Sequence, residues 1–141
     1  MTRVREMIER HEGRRTRPYK DSRGILTVGV GRNLDVVPLI DDEIDLMLTN
    51  DITRAYAAAR SCCISFGTLG EARQAVLVDM AFNLGATGLR AFRSFLAAID
   101  RGDWKRAGEE MERSFWWKQV GERAHELRTL IELGQFPEDV V

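Results

Sequence analysis

Residues 17–31, RPYKDSRGILTVGVG, decide the fold because they contain the one convincing sheet signal in the chain. The turn residues Asp-Ser-Arg-Gly at 21–24 separate a basic stretch from a second stretch, residues 25–31, in which β-branched residues are frequent. Two extended stretches joined by such a turn predict a β-hairpin. Gly29 and Gly31 do not form a phosphate-binding loop, because the P-loop lysine and the following helix are missing.

Helical patterns dominate on both sides of this hairpin. Before it, apolar residues spaced three and four apart predict a short helix that Thr2 caps and that ends near Glu12 and Gly13. After Pro38, a second helix begins with three carboxylates in its first turn, at 41–43, where they favour the helix dipole.

A third helix is the predicted buried centre of the fold. Thr68 and Glu71 form an S/T-x-x-E capping box before a segment that is apolar on most sides and that Gly85 ends. Three more helices are predicted at 89–100, 104–113 and 121–133, with Asp103 as a cap and Gly102 and Gly134 as stops. The chain therefore belongs to the α+β class and is mostly α.

Composition restricts the possible classes of protein. With 141 residues, 44% of them hydrophobic and 30% charged, the chain predicts one folded domain, 1–141, and not a disordered one. No apolar run approaches the roughly 20 residues of a membrane span, and the first residues do not resemble a secretory signal. Cys62 and Cys63 are adjacent, which excludes a disulfide framework and favours a reducing compartment.

The formal net charge of −1 hides an uneven distribution. Residues 1–34 contain nine Arg or Lys and four Asp or Glu, whereas residues 35–51 contain six acids and no base. The near-neutral total and the lack of a basic recognition helix argue against a nucleic-acid partner. The basic N-terminal segment still allows local attraction to an anionic polymer.

Three side chains could share a cleft between the first helix and the hairpin. Glu12 ends the helix, Asp21 lies in the turn, and Thr27 lies on the returning strand. Two carboxylates across a cleft are what glycoside hydrolysis needs, one as a proton donor and one ionised. In a chain with 22 acidic residues, however, this spacing also fits an ordinary last-turn Glu and an ordinary turn Asp.

Three ordered blocks of sequence resemble the phage lysozymes of the T-even type, the muramidase endolysins of glycoside hydrolase family 24. The first block, residues 10–34, matches the family pattern E-x8-D-x5-T at Glu12, Asp21 and Thr27. The second is FNLG at 82–85, and the third is SFWWKQVGERA at 114–124. One departure is Arg32, which stands where several relatives have His.

The resemblance implies a lysozyme-like fold and a role for each matching residue. A small lobe with the hairpin would cover about 13–60, and a helical lobe about 61–141 together with helix 1–12. Glu12 would be the general acid, kept protonated by partial burial, while Asp21 would stay ionised and activate water that Thr27 positions. Arg123 would orient Glu12, or would be an exposed helix residue.

The same resemblance implies weaker candidates and a biological setting. Phe82 and Asn83 would line the saccharide cleft, although Phe82 fits a core position equally well, and the three tryptophans fit the core better. We expect no cofactor and no metal. The substrate would be bacterial peptidoglycan, and a monomeric enzyme would remain in the host cytoplasm until a separate holin releases it to the periplasm. The alternatives are a lytic transglycosylase or a non-catalytic peptidoglycan-binding protein on the same fold.

Overall fold

A computed structural model describes residues 1–139 of the chain. The chain forms two compact units, Met1–Met47 and the part that begins at Leu48. The first unit contains helix α1 (Thr2–Glu12), strands β1 (Arg15–Lys20), β2 (Leu26–Gly29) and β3 (Arg32–Asn33), and the start of α2 (Asp41–Cys62). The second contains the rest of α2, then α3 (Glu71–Arg90), α4 (Arg93–Arg101), α5 (Trp104–Arg113), α6 (Phe115–Val120) and α7 (Glu122–Leu133). Short 3₁₀ turns occupy Phe66–Thr68 and Pro137–Asp139.

The predicted hairpin is present and is extended to a three-stranded antiparallel sheet of order β1-β2-β3. Tyr19 pairs with Thr27 between β1 and β2, and Thr27 pairs with Asn33 between β2 and β3. The predicted second strand, 25–31, is interrupted by a tight turn between Gly29 and Gly31, which creates β3. The prediction that Thr2 caps α1 is wrong, because Thr2 is already helical and Met1 occupies the cap position without a side-chain hydrogen bond.

The core of the second unit lies around α3, as predicted, and includes Val76, Leu77 and Met80. The predicted capping box does not form. Gly70 precedes the helix without a side-chain cap, and the Thr68 hydroxyl donates to the Ser65 carbonyl within the 3₁₀ turn. Gly85 breaks the helix as predicted, with φ 71° and ψ 174°, after which a second helical segment continues to Arg90.

The last helices follow the sequence closely. The Asp103 carboxylate accepts from the backbone N–H of Arg106 at 3.1 Å and caps α5, and Gly134 ends α7 in the left-handed conformation. The helix predicted at 89–100 begins only at Arg93, since residues up to 90 belong to α3. Helix α6 was not predicted, because six residues are too few to show helical periodicity.

The observed elements confirm the predicted α+β, mostly α, class. The predicted limits of the two lobes, 13–60 and 61–141 with helix 1–12, stay a prediction. Within residues 1–139, no helix combines the length and the apolar character that crossing a bilayer requires.

Candidate active site

Asp21 is the residue around which the turn between β1 and β2 folds. Its Oδ1 accepts hydrogen bonds from two backbone N–H groups, that of Arg23 at 2.8 Å and that of Ile25 at 2.9 Å. An Asp side chain that closes its own turn in this way explains why the sequence reverses here. The N–H of Ile25, followed by that of Arg23 and its positive charge, holds the pKa of Asp21 below its ordinary value. The lowered pKa favours the ionised carboxylate, and the catalytic role of Asp21 stays a prediction.

Thr27 lies in the middle of β2 and is the one polar side chain that is fully buried in the described part of the chain, at 3% exposure. Its hydroxyl donates to the carbonyl oxygen of Ile25 at 2.9 Å. A threonine hydroxyl has one proton and two lone pairs, so this bond uses its only donor. Toward a water or a ligand, Oγ1 can therefore act only as a hydrogen-bond acceptor.

Ile25 joins these two residues through its peptide groups. Its N–H donates to the Asp21 carboxylate, and its carbonyl accepts from both the Asp21 N–H and the Thr27 hydroxyl, each at 2.9 Å. The Asp21 carboxylate and the Thr27 hydroxyl are thus both held by the peptide groups of Ile25. The sequence placed both residues near the turn but did not indicate that Ile25 would connect them.

Glu12 is the last residue of α1, and Gly13 ends the helix with φ 75°. The Glu12 carboxyl lies against the backbone of Gly31, where an ideal Cβ would come within 2.6 Å of Oε2. The first unit therefore contains all three residues of the predicted triad. The side chain of Glu12 is exposed, so the partial burial that the resemblance implies is not provided by this arrangement.

Arg32 and Glu43 form a bidentate ion pair that the sequence did not indicate. Nη1 donates to Oε2 and Nη2 to Oε1, both at 2.5 Å, so β3 is tied to the first turn of α2. The Arg32 guanidinium lowers the pKa of the Glu43 carboxyl, and the Ile40 N–H adds to this effect. The sequence pattern explains Glu43 only as a carboxylate that suits a helix N-terminus.

Arg123 lies at the start of α7 in the second unit. Its Nε donates to Oδ1 of Asp79 at 2.7 Å, and its Nη2 donates to the Asp79 carbonyl at 3.2 Å. The guanidinium thereby ties α7 to α3. Asp79 lies 44 residues before Arg123 in the chain and was not among the predicted residues. The orienting role of Arg123 toward Glu12 stays a prediction.

Phe82 and Asn83 are exposed neighbours on α3. The Asn83 Oδ1 accepts from the indole N–H of Trp116 at 2.9 Å. Phe82 is 46% exposed and borders a cavity of about 440 Å³, also lined by Asp51 and Arg54. Phe82 is therefore a surface residue, and the core alternative for it is wrong.

The three tryptophans are engaged by other protein groups. Trp116 is 4% exposed and packs edge-on against Phe92, Trp117 packs on His125, and Arg73 stacks over Trp104. These contacts agree with the expectation that the tryptophans belong to the core and its rim. Among residues 1–139, no group of three His, Cys, Asp or Glu side chains is placed to hold a metal ion.

Comparison with known proteins places the sequence in a family. A family model described as phage lysozyme matches residues 9–132, which include Glu12, Asp21, Thr27 and Arg123. "Probable T4-type lysozyme 1" of Dictyostelium discoideum is 22% identical to the chain, over 93% of this chain and 94% of that protein. "Probable T4-type lysozyme 2" of the same organism is 22% identical, over 96% of each. The pre-baseplate central spike protein Gp5 of Enterobacteria phage T4 is 27% identical, but the chain spans only 27% of its length.

Proposed function

Because the chain belongs to the phage lysozyme family, a family of glycoside hydrolases, we propose that it is an endolysin-type muramidase. Its reaction would be hydrolysis of the β-1,4 bond between N-acetylmuramic acid and N-acetylglucosamine in bacterial peptidoglycan. The observation that carries this proposal is the ionised Asp21 carboxylate and the Thr27 hydroxyl, both anchored on Ile25 in the unit that also contains Glu12.

Glu12 acts as the general acid. Its carboxyl proton passes to the glycosidic oxygen while the bond from that oxygen to C1 of the muramic acid residue breaks. The carboxyl is exposed in the free protein, and a bound saccharide chain covers it. In this proposal, substrate binding completes the environment of the acid.

Asp21 and Thr27 act on the attacking water. Because Oδ1 of Asp21 is occupied by two backbone N–H groups, Oδ2 is the oxygen that takes a proton from water. Oγ1 of Thr27 has donated its own proton to Ile25 and accepts the second hydrogen of the same water. The water then directs a lone pair at C1, forms the new C1–O bond and gives a product of inverted configuration.

The remaining parts of the proposal concern binding and biological setting. Asn83 and Phe82 contact the saccharide, Arg123 orients Glu12, and the basic segment 1–34 attracts the anionic wall. The enzyme acts as a monomer in cell-wall breakdown and host lysis, and a separately encoded holin gives it access to the wall. Coexpression with and without a holin tests this last step, since lysis that does not depend on the holin would contradict it.

Two rivals remain on the same fold. A lytic transglycosylase uses one glutamate and releases an anhydro-sugar, so it has no need for the Asp21 and Thr27 arrangement. A non-catalytic peptidoglycan-binding protein would retain the cleft without turnover. The anchoring of both Asp21 and Thr27 on Ile25 favours the hydrolase over the transglycosylase.

The decisive experiment is clearing of outer-membrane-permeabilised cells by wild type, Glu12→Gln and the control Glu6→Gln on the exposed surface of the same helix. We expect wild type and Glu6→Gln to clear the suspension and Glu12→Gln to lose at least about 100-fold in rate. Products with a free reducing end, by mass analysis, distinguish the hydrolase from the transglycosylase. No activity in wild type, or full activity in Glu12→Gln, would refute the proposal.

A further inference from the structure

A side chain at position 31 would collide with the Glu12 carboxyl. An ideal Cβ at Gly31 would lie 2.6 Å from Oε2, 2.8 Å from Cδ and 2.9 Å from Cγ of Glu12. Gly31 also has φ +66°, in the left-handed region that favours glycine. The Glu12 carboxyl therefore lies directly beside the backbone of the β2–β3 turn, in the space that a side chain at position 31 would fill.

On one side of this turn Gly29 pairs with Arg15 of β1, and on the other side the short strand β3 pairs with β2. Gly29 and Gly31 both have positive φ, and glycine gives the backbone more freedom than any other residue. Strand β3, which follows the turn, is only two residues long and pairs with β2 through Val28 opposite Arg32 and Thr27 opposite Asn33. A side-chain contact directly after Gly31 would restrict the backbone on the β3 side of the turn further.

The Arg32 side chain, directly after Gly31, provides that contact. Its guanidinium binds both oxygens of Glu43, a planar arrangement that fixes direction as well as distance. Oε2 of Glu43 also accepts the N–H of Ile40 at 3.1 Å, which ties the pair to the beginning of α2. The turn that borders Glu12 is thus connected through one side chain to a helix end.

We propose that the Arg32–Glu43 pair positions the general acid by holding the Gly29–Gly31 turn against the Glu12 carboxyl. Arg32 and Glu43 are positioning residues, and they act on Glu12 only through the backbone of Gly31. The inference rests on the proposed role of Glu12 as the acid. The Arg32 side chain is 34% exposed, whereas the Arg5 and Arg14 side chains that pair with Glu9 in the same unit are 74% and 71% exposed.

Two variants break the bidentate Arg32–Glu43 pair, and they change the net charge differently. Arg32→Lys keeps the positive charge but replaces the planar fork by a single ammonium, and Glu43→Gln removes a negative charge but keeps the size. If both variants lose rate equally, the cause is the pair geometry and not attraction to the anionic substrate. Arg106→Gln, which breaks partly exposed ion pairs with Glu109 and Glu110 within α5, is the matched control.

The measurements are kcat, KM and the pH profile of kcat on soluble uncrosslinked peptidoglycan fragments, at a temperature where thermal unfolding curves show every variant folded. We expect Arg32→Lys and Glu43→Gln to lose about tenfold or more in kcat with KM within about twofold, because a small misplacement of a catalytic group is costly. The alkaline limb of the kcat profile, which reports loss of the proton from the acid, should also move. Arg106→Gln should match wild type in all three.

The outcomes separate this inference from the proposed function. An active wild type together with unchanged kcat and an unmoved pH limb in both folded variants would overturn the inference alone. A rise in KM without a change in kcat would also overturn it, since that pattern indicates substrate binding. A wild type without activity, or a fully active Glu12→Gln, would overturn the proposed function and this inference with it.

Discussion

Asp21 and Thr27 donate hydrogen bonds to the same acceptor, the carbonyl oxygen of Ile25, through the backbone N–H of Asp21 and Oγ1 of Thr27. Because Ile25 also donates its N–H to the Asp21 carboxylate, one residue holds both predicted water-activating groups. A substitution that preserves these bonds while changing the chemistry should therefore affect rate without affecting the fold.

Asp21→Asn is such a substitution. Both backbone N–H groups bind Oδ1, and an asparagine amide oxygen can accept the same two bonds, so the turn should persist. The negative charge and the basic Oδ2 are lost, and we expect the clearing rate to fall about 100-fold or more. The thermal unfolding midpoint should stay close to that of wild type. A variant of native stability that retains most of the activity would contradict the role of Asp21.

Thr27→Val and Thr27→Ser form a matched pair. Valine keeps the buried shape but removes the hydroxyl, and we expect about tenfold or greater loss of activity, with a stability cost of about 1 kcal/mol for the lost hydrogen bond to Ile25. Serine retains the hydroxyl and should keep most of the activity, while it loses some packing. Equal activities of the two variants would show that the hydroxyl does not position water.

Asp21 should also make the fold depend on pH. The N–H of Ile25 lowers its pKa below the ordinary value of 3.8. A carboxyl whose pKa is lower in the folded state stabilises the fold above the ordinary value, and that contribution disappears as the pH falls through the folded pKa. The difference in free energy of unfolding between wild type and Asp21→Asn should be constant above about pH 5 and should shrink below it. Urea titrations over a series of pH values would measure this difference.

Variants of Asn83 can separate its structural role from its proposed role in binding. Oδ1 accepts from Trp116, which leaves the amide N–H groups for a substrate oxygen. Asn83→Asp keeps the acceptor and removes the donors, so KM should rise several-fold while the thermal unfolding midpoint remains close to wild type. Asn83→Leu should lower that midpoint as well, because the nearly buried indole N–H loses its partner. An unchanged KM in folded Asn83→Asp would exclude Asn83 from binding.

Substitutions of Arg123 and Asp79 test whether Arg123 acts on Glu12 or only ties α7 to α3. Both side chains are partly exposed, so breaking the pair should cost no more than about 1 kcal/mol. If Arg123 orients Glu12, Arg123→Gln should lose about tenfold or more in kcat, whereas Asp79→Asn, which breaks the same ion pair, should lose much less. Equal losses in the two variants would assign Arg123 a structural role alone.

The sequence predicted those elements whose signals are local. The turn at 21–24, the Asp103 cap, the break at Gly85 and the stop at Gly134 each depend on a few neighbouring residues, and the structure confirms them. The capping box at Thr68 and Glu71 was wrong for a physical reason. Thr68 belongs to a 3₁₀ turn, and its hydroxyl bonds back to Ser65 instead of forward to the helix.

By itself, the sequence determined the fold class, the order of the elements and the spacing of Glu12, Asp21 and Thr27. The tertiary structure decided what holds these side chains: Ile25 between Asp21 and Thr27, Gly31 against Glu12, and Glu43 on Arg32. Turns, caps and periodic faces follow from interactions between near neighbours, which can be read along the chain. The contact of Gly31 with Glu12 and the pairing of Arg123 with Asp79 join distant residues, and they exist only once the chain has folded.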